Sequence, residues 1–191
     1  RRQRQMCIRD RLMKAWESNI RKVEPYVPGE QPKVQDVIKL NTNENPYGPS
    51  ENVRKAMEAI DIDRCRLYPD PDVTKLVKSI ADYYGMDNNQ VFVGVGSDDV
   101  LSMCFLTFFN GKKPVLFPDI TYSFYSVWAD LYRIPYEKQK LDDNMKIVPE
   151  DYYKENGGVI FPNPNAPTGL LMDLDSVRAV SYTHLRAHET G

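Results

Sequence analysis

The sequence predicts an α/β fold in which helices flank a mostly parallel sheet, reached through an N-terminal arm. Short apolar runs at 91–93, 114–117, 133–137 and 159–161 read as strands. Segments whose apolar residues recur every three or four positions lie among them, the spacing of one helix face. Strands joined through helices need crossovers, and crossovers make parallel neighbours. A hydrophobic content of 41% over 191 residues supports one sizeable core.

Taken in chain order, the arm comes first. Residues 13–48 hold Val23-Glu24-Pro25-Tyr26-Val27-Pro28-Gly29 and the polar stretch Leu40-Asn41-Thr42-Asn43-Glu44-Asn45-Pro46-Tyr47-Gly48. Ser50 then caps a helix whose face is Val53, Ala56, Met57 and Ile60. Arg66-Leu67-Tyr68-Pro69-Asp70-Pro71 is a rigid loop presenting a tyrosine. Val73, Leu76, Val77, Ile80 and Tyr84 form a second helix face stopped by Gly85. The run at 91–93 reads as a buried strand, followed by the turn Gly94-Val95-Gly96-Ser97-Asp98-Asp99 and a helix carrying Val100, Leu101, Cys104, Phe105 and Phe108. After the run at 114–117, Tyr122, Tyr125, Trp128, Ala129 and Tyr132 share helical spacing. The run at 159–161 leads into Asn163-Pro164-Asn165-Ala166-Pro167-Thr168-Gly169.

Two of these turns invite chemistry. Strand, glycine turn and helix start at 91–100 leave free amides at the positive end of a helix dipole, an arrangement that favours a phosphate. Asp98 and Asp99 sit in that first turn, so helix capping is the competing explanation. Gly94-Val95-Gly96 lacks the third glycine of a dinucleotide fingerprint and no Gly-Lys-Ser follows, which leaves a Rossmann site weakly supported. In the second turn, Pro164 and Pro167 fix φ and remove two donors, so Asn163 and Asn165 become its oriented polar groups. A Pro-rich surface loop is the alternative there.

Asn43-Glu44-Asn45-Pro46-Tyr47-Gly48, Tyr68-Pro69-Asp70-Pro71, Gly96-Ser97-Asp98-Asp99 and Asn163-Pro164-Asn165-Ala166-Pro167-Thr168-Gly169 occur in this order. Together they resemble the N-terminal half of the pyridoxal-phosphate-dependent aminotransferases of fold type I, and within them the histidinol-phosphate aminotransferases. The resemblance runs from about Met13 to Val180 and implies an incomplete fold type I transferase, with 49–180 as part of its large cofactor-binding domain. It implies pyridoxal 5'-phosphate as cofactor. Amides at Ser97 and Asp98 would hold the phosphate, Tyr122 would stack on the pyridine ring, and Asn165 would donate to its phenolic oxygen, with Asn163 open as the alternative. Tyr68 would reach the cofactor of a neighbouring subunit in a homodimer, and Tyr26 would close over substrate. The implied reaction moves an amino group between glutamate and imidazole-acetol phosphate in L-histidine biosynthesis, with histidinol phosphate and 2-oxoglutarate as the reverse pair. Aromatic aminotransferases and phosphothreonine decarboxylases share the scaffold, and a non-catalytic module binding a phosphorylated ligand is the reading from another class. The family's Schiff-base lysine would lie past the last residue, so no catalytic residue is assigned and no covalent cofactor is expected on this chain.

Both ends depart from that pattern. Residues 1–12 are strongly basic and 181–191 break the resemblance, so both are expected to be non-native tails, with His184 and His188 an incidental pair rather than metal ligands. Without them 19 basic residues face 25 acidic ones, which argues against a nucleic-acid partner. No apolar run approaches the roughly 20 residues of a membrane span, so no integral membrane protein is expected. Cys7, Cys65 and Cys104 show no paired spacing, which fits a reducing cytoplasm. A partial sheet would leave an open edge, and poor solubility is expected of it.

Overall fold

The computed structural model describes residues 19–21, 23, 38–41 and 44–189, with side chains as far as Ser181. Tyr26 lies outside the described residues, as do the side chains of His184 and His188. The chain divides into two compact units, one spanning 27–100 and one built on 101–191.

In the first unit, α1 (Glu51–Glu58) starts where Ser50 accepts the Val53 amide on its hydroxyl at 3.5 Å, as the sequence predicts. A 3₁₀ turn at Ile62–Arg66 leads to the Tyr68 loop. Asp70 then caps α2 (Thr74–Tyr84), accepting the Thr74 amide at 2.9 Å and the Asp72 amide at 3.1 Å. Gly85 closes α2 at φ 65 with its amide on the Ala81 carbonyl, the left-handed stop that its sequence position implies.

The strand expected at 91–93 does not form. Val91 is extended, at φ −115 and ψ 124, yet among the described residues the segment has no ladder partner, and Phe92 is exposed. An apolar triplet supplies extended backbone but cannot supply a neighbour; the sheet is made elsewhere. Helix α3 (Gly96–Phe108) follows directly.

The second unit holds that sheet. Strands β1 (Val115–Pro118), β2 (Tyr136–Gln139) and β3 (Gly158–Val159) lie in the order β2-β1-β3. Both pairings are parallel, with Val115 opposite Tyr136 on one side and Gly158 on the other. Central β1 is buried at all four positions, which is why it reads as an unbroken apolar run rather than an alternating one. Its side chains nevertheless alternate between two layers. Val115 and Phe117 join Phe105 of α3, Tyr125 and Ala129 of α4 (Phe124–Tyr132) and Ile134; Leu116 joins Tyr152 and Val180 of α5 (Leu174–Glu189). Each fully buried side chain of this kind contributes about 1.5–3 kcal/mol.

The strand predicted at 133–137 starts later. Arg133 takes the left-handed conformation, φ 59, and the Ile134 amide reaches back to the Ala129 carbonyl at 2.8 Å, so 133–135 end α4 before β2 begins. Nothing in an arginine announces that stop. Gly158, at φ 144, begins β3 beneath Phe109: a Cβ there would lie 2.4 Å from the ring. Glycine is required at this position by contact as well as by conformation.

Candidate functional site

In parallel sheets the useful polar groups gather at the carboxyl ends of the strands. Here the segments leaving β1 and β3 meet there. Asn165, six residues past β3, is almost fully buried, and its carboxamide is held from both sides. Its Oδ1 accepts the Thr121 hydroxyl at 2.8 Å; its Nδ2 donates to the Ile120 carbonyl at 3.0 Å and to the Thr168 hydroxyl at 3.4 Å. Ile120 and Thr121 lie two and three residues past the end of β1, so one side chain ties two strand exits together. The backbone of Asn165 closes its own turn, with its amide on the Leu170 carbonyl and its carbonyl accepting the Gly169 amide at 2.7 Å. Gly169 adopts φ 70 to allow it. Both prolines of this turn, Pro164 and Pro167, follow cis peptide bonds.

Asn163 is committed differently. Its Oδ1 accepts the Met172 amide at 2.9 Å and its Nδ2 donates to the Met172 carbonyl at 3.0 Å, so the side chain pairs with the backbone as a strand would. Of the two asparagines that the sequence left open, Asn165 is the one held next to the β1 exit. Asn165 also lines a cavity of about 180 Å³ together with Ile147, Met172 and Ser176.

Tyr122 comes two residues before α4 rather than on its face. Its ring stacks on Phe124 (centroids 5.6 Å, 24° between planes) and meets Tyr125 edge-on at 5.7 Å. The half-buried ring therefore belongs to an aromatic row that continues through Trp128 and Tyr132. Burial pushes the Tyr125 phenol up to about 12, which keeps that anchor neutral at any ordinary pH.

The glycine turn lies in the unit spanning 27–100. Asp99, whose charge raised the capping explanation, turns back to accept the Val95 amide at 3.0 Å. Ser97 and Asp98 stand in the first turn of α3. Gly94 makes the arrangement fit, since a Cβ there would lie 2.6 Å from the Asp99 oxygen. Tyr68 is fully exposed on its loop. Among the described residues no group of His, Cys, Asp or Glu is arranged to hold a metal, and no helix is long and apolar enough to cross a membrane.

The residues that sequence reasoning missed are Thr121, Thr168 and the Ile120 carbonyl. The only available signal was a hydroxyl beside Tyr122 at a strand exit.

Residues 35–188 match the family model described as aminotransferase class I and II. Histidinol-phosphate aminotransferase from Clostridium beijerinckii is 51% identical over 169 residues, 88% of this chain and 47% of that protein. Histidinol-phosphate aminotransferase 1 of Hydrogenovibrio crunogenus is 54% identical over 165 residues, 86% of this chain and 46% of the relative. The chain thus spans about half the length of the curated relatives it matches. Among solved structures, a candidate histidinol-phosphate aminotransferase from Erwinia carotovora atroseptica superposes with a TM-score of 0.66 at 21% identity, covering 73% of this chain and 42% of that one. At that identity the likeness concerns the fold.

Proposed function

The chain belongs to the class I and II aminotransferases, and on that premise we propose that it contributes the cofactor-holding half of a histidinol-phosphate aminotransferase, moving an amino group between glutamate and imidazole-acetol phosphate. The observation that carries this reading is the Thr121–Asn165–Ile120 tie, which fixes a carboxamide beside the segment bearing Tyr122 at adjacent parallel strand ends. Half-length identities near 50% to proteins of that name support it.

Pyridoxal 5'-phosphate, when bound, supplies an electron sink for the amino acid's α-carbon. Asn165 and Tyr122, both in the 101–191 unit, fit such a group. Asn165 offers an N–H whose present partner, the Thr168 hydroxyl at 3.4 Å, is at the outer limit of a hydrogen bond. Tyr122 offers an aromatic ring already braced by Phe124 and Tyr125, suited to stacking on a pyridine. Ser97 and Asp98 are assigned to the cofactor phosphate on the resemblance alone. The exposure of Tyr68 suits a residue given to a neighbouring subunit, so the complete protein is read as a homodimer. Tyr26 is assigned to substrate closure on the resemblance alone. The domain reading goes with it: 13–48 as arm and small-domain segment, 49–180 as part of the large domain, 1–12 and 181–191 as non-native.

Titration of the chain with pyridoxal 5'-phosphate, followed by the change in cofactor absorbance, tests the site. Saturable binding that weakens tenfold or more in Asn165→Ala and Tyr122→Ala is expected, together with competition by inorganic phosphate. Equal affinity in all three proteins would refute it. For the substrate, the full-length gene product should transaminate histidinol phosphate with 2-oxoglutarate faster than phenylalanine; the reverse order assigns an aromatic aminotransferase.

A further inference from the structure

The tie between the two strand ends has a direction, and the direction matters. Asn165 is almost fully buried, and its two amide atoms face different partners. The Ile120 carbonyl can only accept, so it takes Nδ2; the Thr121 hydroxyl donates, so it takes Oδ1. With those two sides occupied, the remaining Nδ2 hydrogen has only the Thr168 hydroxyl. That hydroxyl is itself held by long contacts, 3.3 Å to the Asn165 carbonyl and 3.4 Å from the Leu170 amide. An acceptor arriving at this hydrogen would displace a weak partner without disturbing the two strong ones. Thr121 also immediately precedes Tyr122, so one residue sets both the carboxamide and the start of the aromatic segment.

We propose that Thr121 is a positioning residue, whose hydroxyl holds the Asn165 carboxamide so that its second Nδ2 hydrogen, now on Thr168, can turn to an anionic ring oxygen of the ligand. This rests on the cofactor reading above and deepens it. It names the atom that is oriented, the group that orients it and the acceptor it awaits. Removing the hydroxyl leaves Oδ1 buried without its donor and lets the carboxamide turn. Affinity should then fall for a ligand with a ring oxygen and stay unchanged for one without.

The test compares the wild-type chain, Thr121→Val and Thr121→Ser, each titrated with pyridoxal 5'-phosphate and with its 3-deoxy analogue, which lacks the ring hydroxyl. Wild type should prefer the hydroxylated ligand by about tenfold, the value of one charge-assisted hydrogen bond. Thr121→Val should lose most of that preference while binding the deoxy analogue as wild type does, and Thr121→Ser should restore it. A Thr121→Val chain that loses both ligands equally shows a merely structural role and overturns the proposal, as does one that keeps the full preference. A Thr121→Ser chain that fails to regain the preference also overturns it. Wild type that binds both ligands equally, or neither, overturns the cofactor reading itself, and the proposal with it.

Discussion

Asn165 shows how much one side chain can be asked to do. Two of its three side-chain hydrogen bonds join the β1 and β3 exits, so Asn165→Ala strands the Thr121 hydroxyl and the Ile120 carbonyl as well as removing a ligand donor. The variant should lose about 2 kcal/mol in urea denaturation, within the range for buried polar groups left unpaired. A second residue-scale prediction concerns Gly158. With φ at 144 and the Phe109 ring 2.4 Å from where a Cβ would stand, Gly158→Ala must displace an aromatic and hold an unfavourable backbone. A loss of about 2–4 kcal/mol is expected, read from the same urea curves. Tyr125 gives a pH signature. Its phenol is raised to about 12 by burial, against about 10 unfolded, so between those values only the unfolded chain releases the proton. Stability should fall as pH climbs from 10 to 12, and a Tyr125→Phe chain should lack that part of the fall.

At the scale of elements, helix ends were the most legible. Ser50 and Gly85 announce their roles because capping chemistry is local: a hydroxyl next to the first amides, a glycine at the left-handed exit. Asp70 acts in the same way and can be tested by acid. Its carboxyl is held below the usual range first by the Thr74 hydroxyl, then by the Thr74 and Asp72 amides. A lowered folded value means that its support is present above the unfolded value of about 3.9 and is lost as pH falls through the folded one. The start of α2 should therefore loosen below about pH 4 in far-UV circular dichroism, and Asp70→Asn should remove that acid limb. Strands were less legible, because pairing is not local. The run at 91–93 has the composition of a strand and lacks the neighbour; 133–137 reads as one unit, yet Arg133 spends its first residues ending α4. The candidate site divided along the same line. Asn165 and Tyr122 stood out through their own motifs, whereas Thr121 matters only through Asn165, 44 residues away, and no local pattern reveals such a partner.

For the molecule as a whole, the 101–191 unit is organised by a strand buried on both faces. Substitutions there should be felt throughout that unit: Phe117→Ala is expected to cost about 3–5 kcal/mol and to shift the whole unfolding transition together. The central strand also imposes a history on the chain. Val115 meets Tyr136 after 21 residues and Gly158 only after 43, so the second closure spans a loop twice as long, at about 0.6 kcal/mol more entropy. The β1–β2 pair, with α4 folded across it, is poised to assemble early, while the Asn165 turn arrives with the later strand. The hand that would grip a ligand thus closes after the aromatic row is in place, and a chain caught midway through folding would carry that row without its carboxamide.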